Sequence, residues 1–207
     1  MTDFYQNLIT QKSWQVLENL RKTYDFVLIG GWAVWLYTQA LKSKDIDLVV
    51  GFPSLGKLKK DYQITKNPRL RKYEAKVEEI DIDIYLPHYS RPGLPAEFIL
   101  KHTLSRQGYQ VPKPEILLIL KQSVYEERKA SIKGKKDKLD LLSLLNKVDL
   151  DFEFYKRVLK ETKKENLQEQ LKSLLAGTIR TTELGLTDHK MAKLKRKISK
   201  KITETPG

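Results

Sequence analysis

Residues 28–50 read LIGGWAVWLYTQALKSKDIDLVV. One apolar run ends in two adjacent glycines, and the next carries two aspartates one residue apart. The pattern predicts a short strand over 26–29, a turn at Gly30-Gly31, a buried helix over 32–41 and a second strand over 45–50. Alternate residues of a strand share a face, so Asp45 and Asp47 project together from alpha carbons about 6.7 Å apart. Two such carboxylates repel each other unless a cation neutralises them. Glycines lack β-carbons and let a ligand approach the backbone, while the following helix adds partial positive charge from its first amides. A lone Gly-Gly is ordinarily a turn, and a lone Asp-x-Asp is ordinarily a solvated strand face. Their combination, with phosphate donors on one side of a helix and cation ligands on the other, points to a site.

Working outward, residues 4–23 predict an amphipathic helix and 54–62 a short basic one. Residues 72–77 and 79–86 predict two strands, joined as a hairpin by a tight turn near Glu78. In the second strand Ile80, Ile82 and Ile84 fall on one face and Asp81, Asp83 and Tyr85 on the other. Three prolines mark 87–95 as a loop, and a short helix follows over 95–100. Pro112 and Pro114 open a long helical region with apolar segments at 116–120 and 139–145 and a basic stretch at 128–138 between them. Charged amphipathic helices are expected over 151–163 and 165–176. In 189–202, Met191, Leu194, Ile198 and Ile202 share one helical face amid seven Lys or Arg. The order predicts an α+β fold: a small mixed sheet flanked by helices over 1–110, then a helical domain over 111–207 ending in a basic helix.

Composition limits the function. The 207 residues are 40% hydrophobic and 31% charged, which fits a globular chain with a core. There is no cysteine, which excludes disulfides, thiolate zinc sites and a cysteine nucleophile. The start of the chain lacks a basic leader, and the longest nearly unbroken apolar stretch, 26–37, is too short to span a bilayer. A cytoplasmic protein without a membrane partner is the expectation. The net charge of +13 favours polyanionic partners such as RNA, DNA, nucleotides or an acidic protein, although lysines also serve solubility.

Paired carboxylates on a strand suit magnesium, which takes hard oxygen ligands and usually combines one or two carboxylates with water and substrate phosphate. Two such ions about 3.5–4 Å apart can clamp a nucleotidyl transfer. A third carboxylate is then needed. Asp83 and Asp81 share the face that would supply it, and both remain open on strand geometry. Lys121 could reach a phosphate or simply end a helix. Arg128, Lys135 and Lys136 could meet a nucleotide, but a charge run is more often a solvated face, and Asp137 and Asp140 could order these bases or pair with them. His88 and His102 are isolated and are not expected to bind metal. Trp32 and Trp35 are expected in the core.

The sequence Gly30-Gly31, then Asp45-Ile46-Asp47, then Ile82-Asp83-Ile84 resembles the nucleotidyltransferase superfamily related to DNA polymerase beta. "IGGWAVWLY" followed by "KDIDLVV" is especially similar to minimal antibiotic-type nucleotidyltransferases and to those of prokaryotic toxin–antitoxin systems. The motifs cover roughly 24–88, with a weaker similarity over 114–145. The resemblance implies that Asp45 and Asp47 hold two metal ions and that Asp83 completes one site and helps deprotonate the acceptor hydroxyl. It implies that Gly30 and Gly31 receive the β- and γ-phosphates. Asp83 fits the superfamily pattern better than Asp81 through its apolar flanks and its place before Tyr85-Leu86-Pro87. The superfamily's turn is Gly-Gly or Gly-Ser; here it is Gly-Gly, so no serine hydroxyl reaches a phosphate.

The implied activity is magnesium-dependent transfer of a nucleoside monophosphate from ATP or another NTP to a hydroxyl of a small molecule, protein or RNA, releasing pyrophosphate; manganese is an alternative metal. The alternative function is a non-catalytic module of a toxin–antitoxin or RNA-associated complex. RNA or a protein partner would meet the basic helical region. Nothing in the sequence specifies an oligomeric state.

Overall fold

A computed structural model describes residues 2–204. The chain divides into two compact units, with the division in the sequence between Lys113 and Pro114. The first contains α1 (Thr2–Thr23), β1 (Val27–Ile29), α2 (Gly30–Thr38), β2 (Ile46–Val49), α3 (Phe52–Asp61), β3 (Ile64–Asn67), β4 (Lys72–Val77), β5 (Ile80–Tyr85), α4 (Ala96–Lys101), β6 (Thr103–Arg106) and β7 (Tyr109–Pro112). Its strands form one mixed sheet in the order β3-β4-β5-β2-β1-β7-β6. The central β2 runs antiparallel to β1 and parallel to β5, and β1 runs parallel to β7.

The apolar alternation of the central strands determines this sheet. Leu28, Ile46, Leu48, Ile82 and Ile84 are all essentially inaccessible to solvent. The α2 helix is apolar on every side, as a helix enclosed by a core must be. Trp32 is buried, and its indole N–H donates to Ser13 Oγ at 2.8 Å. Trp14 packs its ring 5.0 Å from both Trp32 and Trp35. At the hairpin, Val77 pairs with Ile80 across a two-residue turn, and Glu78 takes the left-handed conformation with φ 56°.

Several boundaries differ from the sequence expectation. The glycines are not a separate turn: α2 begins at Gly30 itself. It stops at Thr38 because Gln39 turns left-handed, φ 53°, and its N–H closes on Trp35 O at 2.8 Å. Strand β2 begins at Ile46, so Asp45 lies in the bend before it rather than within it. The ladder ends there because pairing with β5 starts at Ile46–Ile82 and β1 contributes only Val27–Ile29. Strands β3, β6 and β7 lie where the sequence pattern predicts none. Two of these, β3 and β6, are the edges of the sheet, where polar sequences such as Ile-Thr-Lys-Asn and Thr-Leu-Ser-Arg need no apolar alternation.

The second unit is helical: α5 (Pro114–Arg128), α6 (Ile132–Lys147), α7 (Phe152–Glu161), α8 (Asn166–Ala176) and α9 (Asp188–Glu204). The expected long helical region breaks before Ser131, whose Oγ caps α6 by accepting the Gly134 N–H at 3.0 Å. Asp151 caps α7 in the same way through the Phe154 N–H at 2.9 Å. In the interior, Tyr155 donates to Gln122 Oε1 at 2.8 Å and Gln122 donates to Leu167 O at 2.9 Å. On α9, Met191, Leu194, Ile198 and Ile202 are all buried, so the apolar face of the basic helix is packed within this unit. Among the described residues, no helix is long and apolar enough to cross a membrane.

Candidate active site

Asp47 and Asp83 are opposite each other in the parallel ladder of β2 and β5. Residues paired in this way point to the same face from strands about 4.8 Å apart. On the other side of β5, Glu74 of β4 is the partner of Asp83. Three carboxylates therefore form one row across three neighbouring strands. Like charges directly opposite one another are destabilising, so a row of this kind calls for a cation.

Gly30 closes one end of the row. Ile29 pairs with Asp47, which brings the following glycine, at φ +69°, against the Asp47 side chain. A β-carbon at Gly30 would lie 2.0 Å from Asp47 Oδ2 and 2.6 Å from its Cγ. No side chain larger than hydrogen fits without moving the carboxylate. The N-cap residue of α2, Ile29, offers no side-chain hydrogen bond, so a buried helix begins beside the aspartate with amides not capped by that residue.

At the other end, Lys72 reaches into the row. Its Nζ donates to Asp83 Oδ2 at 2.6 Å and lies 2.9 Å from Glu74 Oε1. Asn67 Nδ2 also donates to that Glu74 oxygen at 3.1 Å. Burial pushes the Asp83 carboxyl above its ordinary value, and Lys72 restores it only in part because Glu74 and Asp45 add negative charge nearby. Burial pulls Lys72 down, yet its bonds to Asp83 and Glu74 outweigh that and leave it raised. The two shifts differ in origin: burial dominates at Asp83, whereas the bonds to Asp83 and Glu74 overcome burial at Lys72.

The other candidates lie as follows. Asp45 is exposed, but close enough to act on Asp83 electrostatically. Asp81 is two-thirds exposed and lies 3.9 Å from Lys76. Gly31 is buried in the first turn of α2. Lys121 belongs to the second unit, nearly buried, 2.7 Å from Asp140 Oδ2 and 3.6 Å from Asp137 Oδ1. Arg128 donates to both oxygens of the same Asp137, at 2.7 and 3.1 Å. Lys135 is exposed and Lys136 half-buried. The backbone N–H of His88 donates to Glu97, and His102 Nδ1 lies 3.0 Å from Phe98 O. Lys72 and Glu74 were missed. Their signal was the alternation of Lys-Tyr-Glu-Ala-Lys-Val, which a two-residue turn at 78–79 aligns with Asp83.

Among the described residues, no set of three His, Asp or Glu side chains is arranged to hold a metal ion. Asp47 and Asp83 still fit magnesium, which needs one or two carboxylates and completes its shell with water and phosphate. A β-carbon at Gly30 would collide with the first of those carboxylates, so the backbone cradle there suits glycine alone.

No protein-family model and no curated protein matches the sequence. The crystal structure of JHP933 from Helicobacter pylori aligns with a TM-score of 0.50 at 18% identity, covering 96% of this chain and 94% of that one. The Megavirus polyadenylate synthase aligns at a TM-score of 0.45 and 15% identity, covering 70% of this chain and 32% of the synthase. A nucleotidyltransferase-like protein from Paracoccidioides brasiliensis aligns at 0.42 and 18%, covering 86% of this chain and 96% of that one. Likeness at such identities speaks to the fold and not to the activity. The mixed sheet, with the Gly-Gly helix start and the Asp47–Asp83 ladder at its centre, is an α+β fold similar to that of JHP933.

Proposed function

We propose that the protein is a metal-dependent nucleotidyltransferase that moves a nucleoside monophosphate from an NTP to an acceptor hydroxyl. The observation that carries this reading is the in-register pair Asp47–Asp83 beside Gly30. Magnesium, when bound, would supply positive charge that offsets the charge of the triphosphate. Asp47 and Asp83 would hold it, with Asp45 at the mouth of the pair. The first amides of α2, at Gly30 and Gly31, would receive the β- and γ-phosphates. In this reading Asp83 would also take the proton of the acceptor hydroxyl. The acceptor oxygen then bonds to the α-phosphorus, and pyrophosphate leaves with the bridging electrons.

The acceptor class we favour is RNA. On α9, Lys193, Arg196, Lys197 and Lys200 are exposed opposite the buried apolar face. The test is incubation of the protein with each α-labelled NTP, magnesium and total cellular RNA or lysate, comparing the wild-type chain with Asp47→Asn. Label on RNA that depends on Asp47 supports the reading. Label on a protein or a small molecule keeps the chemistry and replaces the acceptor. No Asp47-dependent label with any NTP would leave a binding module of the same fold.

A further inference from the structure

Lys72 has no role in the reaction just described, yet it makes the shortest polar contact that Asp83 has with another side chain, 2.6 Å. We propose that Lys72 is the resident counter-cation of Asp83, which a divalent metal must displace, and that it thereby holds down the intrinsic metal affinity of the site. The inference rests on the metal reading above and adds a positioning residue to it.

The geometry supports a displacement rather than a fixed structural bridge. The Lys72 ammonium touches two carboxylates, Asp83 at 2.6 Å and Glu74 at 2.9 Å. Glu74 is held independently by Asn67 of β3 at 3.1 Å, so it does not rely on Lys72 to stay in place. Lys72 can therefore release Asp83 and keep a charged partner on its own strand, at no cost of an unpaired ammonium. Asp83 has no comparable alternative, because its neighbours across the ladder are Asp47 and Glu74, both anionic. Its needs are met either by Lys72 or by a cation placed between it and Asp47. A divalent ion in that position would also be repelled by the ammonium a few ångströms away. The triphosphate brings the negative charge that offsets this repulsion. Metal loading would then follow nucleotide arrival instead of preceding it.

The test is Mn2+ binding, followed by electron paramagnetic resonance without nucleotide, on the full chain and on Lys72→Met, Lys72→Arg and Asp47→Asn. Removing a like charge beside a bound cation strengthens binding by about tenfold or more. Lys72→Met is expected to bind Mn2+ about tenfold more tightly than the wild-type chain, and Lys72→Arg to stay within about twofold of it. If the Met variant fails to fold, Lys72→Gln replaces it, since an amide can still bond both carboxylates without charge. Wild-type binding through Asp47, with the neutral Lys72 variants bound equally or less tightly, overturns the inference and leaves the nucleotidyltransferase reading standing. Binding absent from every chain, the neutral Lys72 variants included, overturns the inference alone, whereas binding unaffected by Asp47→Asn sinks that reading and this inference with it.

Discussion

Asp83 is the register partner of Asp47 on one side and of Glu74 on the other, so the candidate site is a line of three carboxylates running perpendicular to the strands. The chain tolerates that line because Lys72 enters it between Asp83 and Glu74. Asp47, at the far end, has the backbone of Gly30 against its carboxylate. Its charge is therefore the least replaceable in the proposed chemistry.

Asp47→Asn is expected to abolish nucleotidyl transfer while leaving the fold intact. The substitution preserves volume and removes one of two like charges facing each other across the ladder. By that relief the metal-free protein should be as stable as the wild-type chain or slightly more so, by about 0.2–1 kcal/mol. Thermal melting without metal, read beside the labelling assay, checks both halves. Unchanged turnover would refute the mechanism.

Gly30→Ala tests the cradle. At φ +69° an alanine costs about 1–2 kcal/mol in backbone conformation alone. Its β-carbon would also displace the Asp47 carboxylate, so activity should fall further than stability does. Gly56 provides the contrast. It lies in α3, and a β-carbon added there would meet nothing within 4 Å. Gly56→Ala should raise stability by roughly 0.5–1 kcal/mol with activity unchanged. Denaturant titration and the transfer assay separate the two variants.

The sequence made the centre of this arrangement legible and its rim obscure, for physical reasons. Asp47 and Asp83 sit within buried apolar alternation, so strand, face and neighbour all follow from one period-2 pattern. Asp45 was misplaced by one residue because strand ends depend on where partners stop, and β1 stops early. Glu74 and Lys72 required register as well as alternation. The tight turn near Glu78 already implied it: a two-residue turn makes paired residues sum as Val77 and Ile80 do, which sets Glu74 opposite Asp83. The edge strands β3 and β6 were hidden because an edge strand half in solvent needs no apolar face.

Glu97 provides a pH dependence outside the site. Its carboxylate accepts the backbone N–H of His88 at 2.9 Å, and this bond holds it below the ordinary glutamate value. A carboxyl lowered in the folded state adds stability that is fully present above its unfolded value and is lost as pH falls through the folded one. The group is well solvated, so the contribution is about 0.5 kcal/mol after screening. Glu97→Gln should lower stability by that amount at pH 7 and flatten this part of the acid-unfolding profile. Equal stability of the two proteins at pH 7 would show that the bond contributes nothing.

The basic face of α9 is best tested by substitution, because the structure argues against truncation. Deleting the helix would remove Met191, Leu194, Ile198 and Ile202 from the interior of the second unit, and lost binding would then be confounded with lost folding. Lys193, Arg196 and Lys197 are exposed, and replacing all three with glutamine keeps the apolar face and the helix propensity. If the acceptor is RNA and these side chains meet phosphates, log affinity plotted against log salt should become shallower by about 0.7–0.9 for each contact removed. Nucleotide binding at Gly30-Gly31 should change little, since those amides are in the other unit. Filter binding at several salt concentrations, with a parallel NTP titration, gives both quantities. An unchanged salt slope would assign the ridge to solubility and move the search for the acceptor elsewhere on the chain.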